Sequence, residues 1–271
     1  MGIPILILGE SGTGKSASMR NFAEEELALA NVAGKPLPFK GRFMEVLNSD
    51  SYRAIKKFMK ESYANVVVID DAQYLMANEF MRRSAERGYD KFTEIAVNFW
   101  DLVQAVRELP EEKIVVFMAH IERDQNGNEK IKTIGKLLDE KITVEGMFTI
   151  VLKTSVSDGK FSFQTQNSGH DTVKSPIGLF EANEIDNDLK AVVDRIYHYY
   201  EMPGAPGDKV EVPKKDDSMV LDLDELNKEE YPFDTEEKKD NGKTEEEKPA
   251  NPLEEKAEES PRKRRTRKER T

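Results

Sequence analysis

The sequence predicts an α/β fold in three layers: a mostly parallel sheet with helices on both faces and an antiparallel hairpin added at one edge. Three observations carry that expectation. Short apolar runs rich in β-branched residues alternate with stretches of helical periodicity as far as residue 153. A glycine-rich segment stands between the first run and the first helical stretch. Beyond Met202 the apolar, periodic character ends.

Ile3 to Leu8 is the first run. It is too short to span a bilayer and lacks the basic flank and cleavage site of a signal peptide, so it is expected to be a buried strand. Phe43 to Leu47, Val66 to Ile69, Ile114 to Met118 and Phe148 to Leu152 supply further strands. Between them, Lys15 to Asn31, Tyr52 to Tyr63 (opened by Ser49 or Asp50) and about Phe92 to Leu109 carry helical patterns. In the last of these Ile95, Phe99, Leu102, Val103 and Val106 recur at spacings of three and four, which puts them on one face for packing on the sheet. Strands that alternate with helices form parallel sheets. Within Val151 to Gln166, Asp158-Gly159 separates two extended runs as a hairpin turn does. Asn187 to Glu201 is the closing helix, capped by Asn187 or Asp186, with Leu189, Val192, Val193, Ile196 and Tyr200 inward. No internal repeat is visible.

The chain has 271 residues, a formal net charge of -11 and no cysteine. That length suits one domain, residues 1–202, followed by a tail. The lack of cysteine excludes disulfides, thiolate metal sites and a cysteine nucleophile, and points to a reducing cytoplasm. Residues 203–260 hold nine Lys and Arg against 20 Asp and Glu, a composition that cannot bury enough surface to offset its ordering entropy. Residues 203–271 are therefore expected to form a disordered acidic tail, ending in a basic patch over 261–270.

Gly9-Glu10-Ser11-Gly12-Thr13-Gly14-Lys15-Ser16 matches G-x-x-x-x-G-K-[ST] in full, between an apolar strand and a predicted helix. Glycines let successive backbone N–H groups turn inward around phosphate oxygens. Lys15 adds a charge for the β and γ phosphates of ATP, and Ser16 adds a hydroxyl for Mg²⁺. With Ala17, which follows, these residues are the candidate nucleotide-binding set. The pattern arises by chance in roughly 1% of chains this long, and its flanking context lowers that further.

Val66-Val67-Val68-Ile69-Asp70-Asp71 is an apolar strand ending in two acids, the Walker B arrangement in which the first carboxylate holds magnesium. Asp70 is thus the second candidate metal residue beside Ser16. A group that positions the attacking water must also approach the γ phosphate, and both Asp71 and Asp50 stand at strand ends. Glu45, within a strand, is more readily a solvated strand position. Val115 to Ala119 is a further apolar strand, ending at His120, at the edge where open α/β sheets bind ligands; His120 is the candidate γ-phosphate sensor.

With Gly9 to Ser16, Val66 to Asp71, Ala119-His120 and Lys174-Ser175-Pro176-Ile177-Gly178 in view, residues 3–180 resemble the RecA-like P-loop ATPases of bacteriophages, the single-strand annealing and recombination proteins known as AAA-domain nucleotide-binding proteins. The resemblance implies ATP hydrolysis with magnesium, action on single-stranded DNA, and a homo-oligomer or filament with ATP between subunits. It implies the host cytoplasm as the site of action. It nominates Lys174 as a basic residue reaching a neighbour's γ phosphate, and likens Gly135-Lys136-Leu137, after a polar loop over Glu122 to Thr133, to the family's Gly-Lys element. The sequence departs from bacterial RecA in having no recognisable glutamate after the second strand and no separate DNA-binding domain.

Residues 1–202 are acidic, with 25 Lys and Arg against 31 Asp and Glu, so a DNA site must be local. The loop Arg123 to Lys136 and the terminal 261–270 run are the two candidates. The acidic tail suits docking of replication or recombination proteins. A nucleotide-dependent loader with little turnover is the alternative function. A small-molecule kinase would need lid arginines, for which Arg82, Arg83 and Arg87 are available. A GTPase would need Asn-Lys-x-Asp, which is absent.

Overall fold

Residues 1–204 are described by a computed structural model, and the expected tail lies, from residue 205 on, outside the described residues. The elements in chain order are β1 (Ile3–Gly9), β2 (Leu27–Asn31), β3 (Glu45–Leu47), α1 (Tyr52–Glu61), β4 (Val66–Asp70), α2 (Gln73–Arg82), α3 (Asp90–Ala105), β5 (Ile114–Arg123), β6 (Glu129–Ile131), β7 (Ile150–Ser157), β8 (Lys160–Gln164), β9 (Glu184–Asp186) and α4 (Leu189–Tyr199).

The central strands are apolar on both sides, which only a sheet covered on both faces tolerates. Every residue of β2 and β4 is buried, and β1 is buried from Pro4 to Gly9. The sheet runs β3-β2-β4-β5-β1-β7-β8-β9, with β6 paired to β5 off this path. The first six strands are mutually parallel, and β8 and β9 are antiparallel additions. Alternate side chains feed two cores. Leu6, Leu8, Val67, Ile69, Val115 and Phe117 pack with Ile55 and Phe58 of α1, Leu75 of α2 and Phe99 of α3. Ile5, Ile7, Val66, Val68, Val116 and Met118 pack with Met19 and with Val192, Val193 and Ile196 of α4. The face expected on α3 is buried as its spacing requires.

The β7–β8 hairpin forms at Asp158-Gly159, where both residues take positive φ, 51° and 75°, as a two-residue hairpin turn demands. Several boundaries differ from expectation. The helix foreseen over Lys15 to Asn31 is a six-residue 3₁₀ helix, Ser16–Asn21, followed by β2. Leu27-Ala28-Leu29-Ala30 has good helix formers, but all four are buried and pair with β4, so tertiary burial overrides propensity. The strand expected to end at His120 continues to Arg123, and the predicted polar loop becomes a hairpin with β6. Ser51 caps α1 and Asp188 caps α4, in each case one residue beyond the nearer of the two sequence candidates. Tyr197 fills the place expected of Tyr200, which is half-exposed. The helix α2 has no counterpart among the predicted elements.

Candidate functional site

The carboxyl ends of β1, β4 and β5 share one edge: Gly9 pairs with His120, and Ile69 with Phe117 one residue before Asp70. Because β5 lies between β1 and β4, the glycine loop and the acidic strand end are about 10 Å apart at the backbone. The side chains close that gap.

The loop leaves β1 at Gly9, where a Cβ would stand 1.9 Å from Thr154 Oγ1; only glycine fits against β7 there. Gly14 has φ of 95°, a left-handed conformation natural to glycine. Thr13 Oγ1 donates to Glu10 O at 2.8 Å and lies 2.6 Å from Thr154 Oγ1, which fixes the crown of the loop to β7. Ser11 and Gly12 are exposed at the crown. Lys15 is buried beneath it, and its Nζ donates to Gly9 O at 3.0 Å and Glu10 O at 2.8 Å. Burial pushes the Lys15 ammonium below the usual lysine range, while Asp71 and Asp70 oppose that shift.

Ser16 Oγ donates to Asp70 Oδ2 at 2.7 Å. Asp70 is raised above the usual carboxylate range by burial, offset in part by the bond from Ser16. A hydroxyl and one carboxylate, side by side at the mouth of a backbone cradle, are the few oxygen donors that magnesium takes from a protein when phosphates and waters supply the rest. Among the described residues no cluster of three or more His, Asp or Glu offers a closed metal cage.

Asp71, next in sequence, has φ of 59°, an uncommon conformation for a non-glycine residue. Its carboxylate is engaged by Lys35 and His120 and not by Ser16. Oδ2 accepts from Lys35 Nζ at 2.9 Å, and Oδ1 lies 3.3 Å from His120 Nε2. The His120 backbone N–H donates to Gln73 Oε1 at 3.2 Å, and its ring meets Tyr74 edge-on at 6.3 Å. Burial, then the nearby Lys15 charge, depresses the His120 pKa below 6.5, so the imidazole is neutral at neutral pH. Lys35 is raised by its bond to Asp71 and also stands 5.1 Å over the Tyr74 ring.

The 3₁₀ helix after the loop is braced from the far end of the fold. Arg20 Nη1 donates to Ala17 O at 3.1 Å and to Asn187 O at 2.6 Å, and Asn21 Nδ2 donates to Asp188 Oδ2 at 2.7 Å. Glu10 accepts from Arg123 Nη2 at 3.3 Å.

Gly9 to Ala17, Asp70, Asp71 and His120 are thus gathered in one place, and two nominated residues are not. Asp50 follows β3, four strand spacings from β1, or roughly 19 Å. Its carboxylate accepts from Asn78 at 2.7 Å and Arg82 at 2.6 Å, so it ties α2 to the β3–α1 connection. Lys174 pairs through its backbone with Val151, which is level with Leu6, three residues short of Gly9 on β1. Glu45 accepts from the N–H groups of Tyr63 and Ala64, an anchoring task that suits its position in a strand.

The loop nominated for DNA is largely neutralised: Arg123 pairs with Glu129, Lys130 with Glu122 and Lys136 with Glu140. Arg83 is engaged by Glu79, Glu86 and Glu94, which makes it a buried brace and not a lid residue. Lys35, Gln73 and Thr154 are not among the sequence candidates, and Asn187 is foreseen only as a helix cap. Gly34 takes a positive φ of 62° just before Lys35, in the turn that follows β2. Among the described residues no helix is long and apolar enough to cross a membrane. No protein-family model matches the chain, and no curated protein matches it.

Proposed function

We propose that residues 1–202 form a RecA-like P-loop ATPase domain that binds ATP with magnesium and hydrolyses it in the handling of single-stranded DNA. The observation that carries the ATP-binding part is the 2.7 Å bond from Ser16 to Asp70, which joins the end of the glycine loop to the acidic strand end across an intervening strand. Lys15, held by two loop carbonyls and by no carboxylate, is poised to exchange them for phosphate oxygens. Backbone N–H groups from Ser11 to Ser16 supply the remaining positive ends. Magnesium, held by Ser16 and Asp70, would neutralise charge as the terminal phosphate leaves. Asp71 and His120 stand beside that point, Asp71 to orient a water and neutral His120 to donate to the phosphate. The DNA, phage and filament parts, with Lys174 acting on a neighbouring subunit, rest on the resemblance alone.

The loader reading keeps its own support. Both carboxylate oxygens of Asp71 are engaged by Lys35 and His120, which leaves no strong base free for water and favours slow turnover. ATP hydrolysis by purified protein with magnesium, with and without single-stranded DNA, separates the two. DNA-stimulated turnover supports the annealing ATPase. Tight ATP retention with negligible turnover in both conditions supports the loader, and no retention removes both.

A further inference from the structure

Beside the phosphate loop, the outer part of the β7–β8 hairpin exposes two large apolar side chains. Val156 and Phe161 are 42% and 43% exposed, and they are direct cross-strand partners, so they lie on the same face of the hairpin. The next pair inward on that face is Thr154 with Phe163, and Thr154 is the residue that fixes Thr13 of the loop. The apolar face therefore continues from the core, past the loop, onto an open shelf. Phe161 is the part of the shelf nearest the loop: its Cδ1 stands 2.8 Å from where a Cβ on Gly14 would be.

A second feature converges on the same glycine. Asn187 is 2% exposed, and its Nδ2 is buried with no acceptor, although its Oδ1 and backbone carbonyl both take bonds from Arg20. Nδ2 and Oδ1 would each lie 3.2 Å from a Cβ on Gly14. A buried amide donor without a partner carries a desolvation cost that a bound acceptor would relieve. An exposed aromatic ring at the rim of a phosphate cradle offers a flat apolar face to whatever the phosphates are attached to.

We propose that Phe161 and Val156 form the platform on which the base of a bound nucleoside triphosphate stacks, with Asn187 Nδ2 donating to an acceptor on the nucleoside. The proposal rests on the phosphate-loop reading and deepens it: the site takes a nucleoside polyphosphate and not a bare polyphosphate. Phe161 swings off Gly14 to lie against the base, and that movement uncovers the Asn187 amide. Every base has a flat π-face, so stacking on the ring does not choose between adenine and guanine.

The test compares ATP with inorganic tripolyphosphate, which has the phosphates and no base, on the full chain with magnesium. The unaltered protein should bind ATP more tightly than tripolyphosphate. Phe161→Ala should weaken ATP by about tenfold, the size of one base-on-ring stack, and leave tripolyphosphate as before. Asn187→Ala, which keeps the backbone carbonyl that holds Arg20, should weaken ATP by a smaller factor than Phe161→Ala. Phe161→Trp should keep ATP affinity and report ATP, not tripolyphosphate, by a change in fluorescence. Unchanged ATP affinity in Phe161→Ala, or equal loss of both ligands, would overturn the platform while the phosphate loop stands. Binding of neither ligand by the unaltered protein would remove the phosphate-loop reading and the platform with it.

Discussion

The glycine-loop edge and the β5–β6 hairpin beside it are both rich in charge, yet they treat their cations oppositely. In the hairpin region the cations beside Glu129 meet carboxylates: Arg123 and Lys153 share Glu129, and Lys153 also reaches Asp171 at 3.5 Å. Burial alone would raise Glu129 and Asp171, but hydrogen bonds, from Lys153 and Arg123 to the first and from Ser168 and the Val173 N–H to the second, hold both below the usual carboxylate range. At the loop Lys15 has only backbone carbonyls, and its ammonium is depressed. Charge that is matched inside the protein stabilises it; on the proposed reading, charge left with weak partners is there to meet phosphate.

The largest effect that sharpens this contrast is at Lys15. Lys15→Ala should lower Mg-ATP affinity by about 100-fold or more in equilibrium binding, while thermal melts without nucleotide show no loss of stability, because a buried ammonium has been removed. Asp70→Asn comes next: turnover should fall by about 100-fold and the response of ATP binding to added magnesium should vanish, with the fold intact by circular dichroism. In the hairpin the pattern should invert. Lys153→Met should cost roughly 3 kcal/mol in denaturant unfolding, since it leaves Asp171 and part of Glu129 uncompensated, and should leave ATP affinity unchanged. A Lys153→Met protein that unfolds normally but fails to bind ATP would break the comparison.

The smallest effect is a pH dependence at His120. Its folded pKa lies below 6.5, so the folded state resists protonation; the stability this gives is full above 6.5 and is lost as pH falls through the lower folded value. His120→Gln should therefore lose less stability on acidification than the unaltered protein, read as a relative rise in Tm between about pH 8 and pH 5. The Glu129 and Asp171 carboxylates have depressed values too, and their stabilisation is lost only at more acidic pH, as it falls through those folded values.

The parts legible from sequence were those whose signal is local. The loop glycines, the Val66 to Asp71 run and the Asp158-Gly159 turn each announce themselves within a few residues. What stayed hidden depends on partners far along the chain. Leu27 to Asn31 carries no alternation because both faces are buried, and periodicity cannot distinguish such a strand from a buried helix. Asp71 and Asp50 looked equivalent as acids at strand ends; strand order separates them, and strand order is not written in either strand. Lys35 and Asn187 are ordinary loop residues until β2 and α4 are in place beside the loop.

The short 3₁₀ helix behind the glycines is held by Arg20 and Asn21 to residues 167 positions downstream. During synthesis at about 5–20 residues per second, the glycine segment leaves the ribosome roughly 10–30 s before Asn187 and Asp188 do. Over that interval the nascent chain carries the whole glycine motif on an unbraced turn; on the proposed reading nucleotide capture should therefore begin late in translation, and a fragment ending before Asn187 should contain every motif residue and still retain no ATP.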